Sequence, residues 1–310
     1  MMPLDTKLVC SHVNLITGFS SGCGKTSLAK AMMALLRMEG KRAALLTAGY
    51  EAGRATAGSA AANRIELLSG EAFSTSAASL PFADCRPQIE AGPFGSSALG
   101  PIVLARAGRS GNAILVGPGQ NEALADASRE ALGLPGIDAV IIDGTLSRLT
   151  QLSHLPEALL FCAVMADRAN QHGIARRMEH FFRLVNLPQW NEGSSDRQIS
   201  PACRRIEGPL TSAVLHEIYA ERSSSRHKTP LPPLVVEDMA HVFLSGQELE
   251  DLASSHMLFV AHPVRFAGFV LTLRDLSPED FAASLPSSVA DHILCGNPYE
   301  QDACTLGGAA

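Results

Sequence analysis

Aromatic side chains, paired cysteines and long apolar runs are all scarce in this chain of 310 residues, of which only 5% are Phe, Trp or Tyr. The longest apolar stretches are residues 158–166, which are too few, and 257–273, which are broken by His262, Pro263 and Arg265. A membrane span needs roughly 18 or more apolar residues in a row, so none is expected. The seven cysteines (Cys10, Cys23, Cys85, Cys162, Cys203, Cys295, Cys304) are odd in number and scattered, with no Cys-x-x-Cys pair and no His at zinc-finger spacing. A disulfide frame and a structural zinc are therefore not expected. The ten His residues form no H-x-x-x-H or H-E-x-x-H arrangement, and no Gly-x-Ser-x-Gly elbow precedes a plausible series of Asp and His. Residues 1–15 lack a basic segment leading into an apolar one, so no secretory signal is read there and the chain is expected to be cytoplasmic and reduced. Lys and Arg number 25 against 31 Asp and Glu, a formal net charge of -6, which gives no global attraction for a nucleic-acid backbone.

What is present is enough apolar matter for a full core: 46% hydrophobic against 18% charged side chains. An apolar run at 13–17 ends in Gly18, a Ser/Gly-rich turn follows, and residues 26–39 place Leu28, Met32, Leu35 and Leu36 on one helical face. Gly40 stops that helix and a second apolar strand begins at 41–46, as a crossover unit requires. Further apolar runs at 102–104, 114–116, 139–142 and 158–164 alternate with helical patterns at 122–132 and 175–185. This alternation predicts an α/β fold with a mostly parallel sheet flanked by helices. Polar and proline-rich composition near 191–198 and 221–233 suggests a domain over 1–190, a connecting segment with a helix over 191–233, and a smaller C-terminal α/β portion over 234–310. Trp190, Phe181 and Phe182 read as core, and Arg176-Arg177 and Arg204-Arg205 as solvated faces.

The segment Gly18-Phe19-Ser20-Ser21-Gly22-Cys23-Gly24-Lys25-Thr26-Ser27 carries the chemistry. Phosphate binding needs converging backbone N–H groups, a helix N-terminus behind them, a Lys for the β/γ oxygens and a hydroxyl for Mg²⁺. All four stand here in order, which predicts an ATP site with Lys25 on the transferring phosphoryl group and Thr26 on Mg²⁺. The usual spacing is Gly-x-x-x-x-Gly-Lys-Ser/Thr, whereas Phe19 occupies the first Gly position and Gly18 lies one residue earlier. Asp143, closing the run at 139–142, is the candidate second Mg²⁺ ligand, and Glu51 is a weaker one. Arg148 is positioned in the sequence to neutralise phosphate charge or to make an ordinary ion pair. Cys23 reads as a filler of the loop, because no partner base accompanies it.

The long spacing is similar to that of dethiobiotin synthetases. The chain also resembles the P-loop ATPases associated with reactivation of the adenosylcobalamin-dependent lysine 5,6-aminomutase. The resemblance lies in Gly18 to Thr26, in residues 45–53, in Ser97-Ala98-Leu99-Gly100-Pro101-Ile102-Val103-Leu104-Ala105-Arg106, in Val116-Gly117-Pro118-Gly119, in the Asp-Gly-x-x-x-Arg block from Asp143 to Arg148, and more faintly in Gly208-Pro209-Leu210-Thr211. It implies a Mg-ATP-dependent reactivating chaperone acting on a cobalamin-dependent aminomutase, and a branch in which homodimers occur. It also implies an acidic Asp-Gly-Glu-like element after the second strand, where Glu51-Ala52-Gly53 supplies one acid. An ATP-dependent ligase of the dethiobiotin synthetase type and a nucleotide-sensing regulator with little turnover remain the alternatives.

Overall fold

A computed structural model describes residues 2–49, 64–144, 154–191, 203–224, 232–255 and 257–295. Its centre is a run of parallel strands: β2 (Val13–Gly18), β3 (Ala43–Thr47), β10 (Ala139–Asp143) and β11 (Leu159–Asp167). Their sequences are nearly continuous apolar runs because helices cover both faces and neither can be polar. In the 11-stranded sheet the order runs β1 (Met2–Pro3), β18 (Ile293–Cys295), β17 (Arg265–Arg274), β11, β2, β10, β3, β5 (Ala72–Ser76), β8 (Gly100–Ala107) and β6 (Pro87–Ala91), with β7 (Ser96–Ser97) pairing on β8.

Two cores sit on the two faces. On one, α1 (Thr6–Val9) and α2 (Lys25–Met38) pack Val9, Leu28, Met32, Met33 and Leu36 against Ile16, Leu45, Phe73, Ile141 and Phe161. Fully burying side chains of this size contributes roughly 1.5–3 kcal/mol each. On the other, α3 (Asn121–Gly133) and α4 (Gln171–Val185) pack Leu124, Ala131, Met178 and Phe181 against Leu15, Leu46, Val140 and Leu160. The alternation of strand residues between the two clusters follows from the period of two along a strand. The C-terminal end of α2 is tied down by Arg37, whose guanidinium donates twice to the buried Glu71 carboxylate at 2.7 Å, so the helix is fixed at the end away from the loop after β2.

The parallel expectation fails at one edge. The run at 102–104 belongs to β8, which is antiparallel to both β5 and β6, and the stretch just before residue 116 holds β9 (Gly111–Ile114), antiparallel to β4 (Arg64–Leu67) in a separate pair. Only residues 92–99 separate β6 from β8, too few for a crossover helix, so that pair is antiparallel.

The residues from 234 onward divide between sheets. β14 (Leu234–Val236) and β16 (Leu258–Val260) make a small parallel sheet with β12 (Arg204–Arg205), and β13 (Leu210–Thr211) pairs with β15 (Val242–Phe243). β17 instead runs beside β11 through nine residue pairs from Leu159↔Arg265 to Asp167↔Arg274, inside the main sheet. The start of the expected C-terminal portion is thus not a boundary between sheets. α5 (Ser212–Ser224), α6 (Gly246–Ser254), α7 (Pro278–Ala283) and α8 (Ser287–Ala290) add Leu215, Leu249, Phe281 and Val289 to the α4-side core. Among the described residues no helix is long and apolar enough to cross a membrane.

Candidate functional site

The C-terminal ends of β2, β10 and β3 meet at one edge of the sheet, and the loop after β2 leads into α2. Gly18 closes β2 under severe constraint: a Cβ there would lie 2.2 Å from Cys23 Sγ and 2.7 Å from the Ala163 carbonyl oxygen. At the far end of the loop Gly24 takes φ 99° as the N-cap of α2 without any side-chain cap, a left-handed conformation that glycine adopts without strain. With no side chain at the N-cap, α2 turns the positive end of its dipole toward the loop, the arrangement that binds anions. Within the loop Lys25 Nζ donates to the Ser20 carbonyl oxygen at 3.5 Å, folding its ammonium back across the segment. Ser21 and Gly22 face solvent, and Ser27 is half-buried in the first turn of α2.

Thr26 and Asp143 come together as the sequence suggested. The Thr26 hydroxyl donates to Asp143 Oδ2 at 2.5 Å. The reason is register: Asp143 ends β10 opposite Ile16 of β2 on one side and Thr47 of β3 on the other. Two backbone interactions fix its position, Thr47 Oγ1 donating to the Asp143 carbonyl at 3.1 Å and the Gly144 N–H donating to the Ile16 carbonyl at 3.1 Å. A hydroxyl and a carboxylate side by side form a hard-oxygen pair of the kind that suits Mg²⁺, which takes one or two protein oxygens and completes its shell from phosphate and water. Among the described residues no group of three His, Cys, Asp or Glu is arranged for a metal, and a two-donor Mg²⁺ site does not need one. Glu51 and Arg148 lie outside the described residues.

The segment after β3 is clasped to the one after β9 at this same edge. The Gly49 N–H donates to the Pro118 carbonyl at 2.9 Å and the Gly117 N–H donates to the Gly49 carbonyl at 3.1 Å. Cys23 is buried at 1% exposure with its sulfur packed over Gly18, which fits a filler and withholds the thiol from solvent. On β11 burial pushes the Cys162 thiol well above its ordinary range, and burial likewise raises that of Cys85.

Three contributors to the site were not anticipated. Thr47 holds Asp143 from the neighbouring strand; its signal was a hydroxyl at the end of an apolar run. Thr272 of β17 brings its Oγ1 to 3.2 Å from the place a Gly24 Cβ would occupy, a contact that depends on β17 lying beside β11 and has no local signature. Phe19 leaves the loop and packs its ring 5.6 Å from that of Phe181 on α4. Comparison of the chain with family models, with curated proteins and with solved structures gave no significant match.

Proposed function

We propose that this protein binds Mg-ATP at the loop between β2 and α2 and hydrolyses it. The observation that carries the reading is the Thr26 to Asp143 hydrogen bond of 2.5 Å at the mouth of an uncapped helix N-terminus that begins with Lys25. The backbone N–H groups of the loop and α2 bind the phosphate chain, and the Lys25 ammonium stabilises charge on the transferring γ-phosphoryl group. Thr26 and Asp143 would hold Mg²⁺, which neutralises phosphate charge when bound. The clasped segments at Thr47 to Gly49 and Gly117 to Pro118 border this edge, so an ordering of loops by the γ-phosphate has elements at hand to act on.

The sequence blocks from Ser97 to Arg106 and from Asp143 to Arg148 support a more particular role, as a reactivating chaperone that uses the hydrolytic cycle to open a cobalamin-dependent aminomutase. The long loop spacing supports a second reading, a ligase that phosphorylates a small carboxylate or carbamate. A reducing cytoplasmic setting belongs to the proposal and is supported by Cys10, Cys23, Cys85, Cys162 and Cys203, all free thiols. So does a homodimer, which light scattering would test.

The deciding experiment measures ADP release from Mg-ATP by the purified protein, alone and with an inactivated cobalamin-dependent aminomutase from the same genome. Stimulation with recovery of aminomutase activity supports the chaperone. ADP release that depends on a small carboxylate supports the ligase, and tight ATP binding without release leaves a nucleotide sensor. Lys25→Ala should abolish binding or turnover; unchanged turnover in that variant would show the phosphate-loop assignment to be wrong.

A further inference from the structure

Phe19 stands where such loops ordinarily carry their first glycine, and the fold uses its side chain outside the phosphate cradle. The ring lies 5.6 Å from Phe181 of α4 at an interplanar angle of 71° and 6.5 Å from Phe269 of β17 at 54°. Phe181 and Phe269 are 5.9 Å apart, and both meet Phe266, at 5.8 and 4.9 Å. In a chain with few aromatic residues, four are thus gathered from the loop, α4 and β17. The cluster continues through His292, whose ring lies 4.7 Å from Phe182 and 6.3 Å from Phe266. Beyond it, Arg183 of α4 is paired with Glu250 of α6 at 2.9 Å.

Apolar anchorage of the loop comes from two side chains, Phe19 and the buried Cys23. Ser20, Ser21, Gly22 and Gly24 offer no apolar side chain for burial, and Cys23 turns inward onto Gly18. We propose that Phe19 is a positioning residue, clamping the start of the phosphate loop to α4 and β17 so that the loop keeps its phosphate-binding shape and α4 responds when nucleotide occupies it. The inference rests on the Mg-ATP reading of the site and adds to it a named support and a direction of coupling. Edge-to-face aromatic pairs are favourable beyond the area they bury. Without them the loop spends part of its time in other shapes, and apparent affinity falls by the fraction that remains competent. The same clamp gives the loop and α4 one shared packing arrangement for both to bias, which is the physical requirement for coupling.

The test compares wild type, Phe19→Ala and Phe19→Leu by titration with Mg-ADP and with a nonhydrolysable Mg-ATP analogue, and by amide hydrogen exchange over residues 171–185 with and without saturating nucleotide. The expected results are about tenfold weaker binding in Phe19→Ala, the scale of one or two lost aromatic pairs, and only partial recovery in Phe19→Leu, which restores apolar bulk but not the ring pairs. Exchange in α4 should slow on nucleotide binding in wild type and stay unchanged in Phe19→Ala at saturation. Binding by Phe19→Ala within twofold of wild type would overturn the proposal, as would an α4 response in that variant equal to the wild-type one. If Phe19→Ala does not fold, the wild-type exchange and the leucine variant decide: an α4 indifferent to bound nucleotide refutes the coupling. Failure of wild type to bind any nucleotide is read in the same titration and refutes the underlying Mg-ATP reading instead.

Discussion

Asp143→Asn distinguishes a carboxylate that holds Mg²⁺ from a residue that merely ends a strand. The substitution keeps the shape of the side chain and removes one negative charge. The backbone contacts that place residue 143 do not involve the carboxylate: Thr47 Oγ1 donates to its carbonyl at 3.1 Å and Gly144 N–H to the Ile16 carbonyl at 3.1 Å. The amide oxygen can still accept from Thr26, which is solvent-exposed, so the loss of stability should be about 1 kcal/mol or less. The effect on Mg²⁺ should be larger. A carboxylate about 4 Å from a divalent ion, with an effective dielectric near 20, amounts to about 8 kcal/mol. Solvent at the exposed Thr26 and the charge of the phosphates themselves reduce this, leaving about 2–3 kcal/mol, or on the order of 30- to 150-fold in Mg²⁺ affinity. The assay is a fluorescent-nucleotide titration in EDTA, repeated across Mg²⁺ concentrations, with urea denaturation as a control on folding. Nucleotide affinity in EDTA should change by less than about threefold while the Mg²⁺ half-saturation rises by the larger factor. Equal losses in both would refute the reasoning and make Asp143 a structural residue.

Gly18→Ala should destabilise by roughly 1–3 kcal/mol through overpacking, because its Cβ would fall 2.2 Å from Cys23 Sγ and 2.7 Å from the Ala163 carbonyl oxygen. Adding Cys23→Ala should recover only part of this in urea denaturation, since the Ala163 contact is backbone; strict additivity of the two changes would contradict the packing. Glu248 caps α6 and accepts from Ser245 and Ser212, and the hydrogen bond from the Ser245 side chain is the first cause holding its carboxyl below the usual range. Its folded pKa is the lower one, so its contribution is fully present above the unfolded value and is lost as pH falls through the folded value. Glu248→Gln should therefore be less stable than wild type at neutral pH, with the gap closing in acid below roughly pH 4; a gap of the same size at both ends would remove the carboxylate from the explanation.

The loop from Gly18 to Thr26 was legible as a turn between a strand and a helix because its small residues stand between two periodic apolar segments. The expected strand at 13–17 and helix at 26–39 correspond to Val13–Gly18 and Lys25–Met38, and the run before Asp143 is β10. The antiparallel edge was not legible for a definite reason. Residues 102–105 of β8 are buried like those of a central parallel strand, and apolarity carries no information about strand direction, which the path of the chain between strands decides. β17 was visible only as the run at 269–273, because Gly268 interrupts it and its ends carry Arg265 and Arg274. With those residues included it is long enough to follow β11 along its whole length, and that placement moves it from a small C-terminal unit into the main sheet.

The same contrast explains why the donors of the site could be named from sequence and their supports could not. Donor type and backbone shape are requirements on one short segment and one strand end, and only a few residue types meet them. Support is packing, which many apolar side chains of suitable volume can supply from anywhere in the chain. Phe19 joins the two cases: it lies inside the segment whose spacing announces phosphate binding, yet the partners that give it a purpose are Phe181 and Phe269 on distant elements. The residue that departs from the usual loop pattern thus makes tertiary contacts that a glycine at that position could not, since a glycine could not reach α4 or β17.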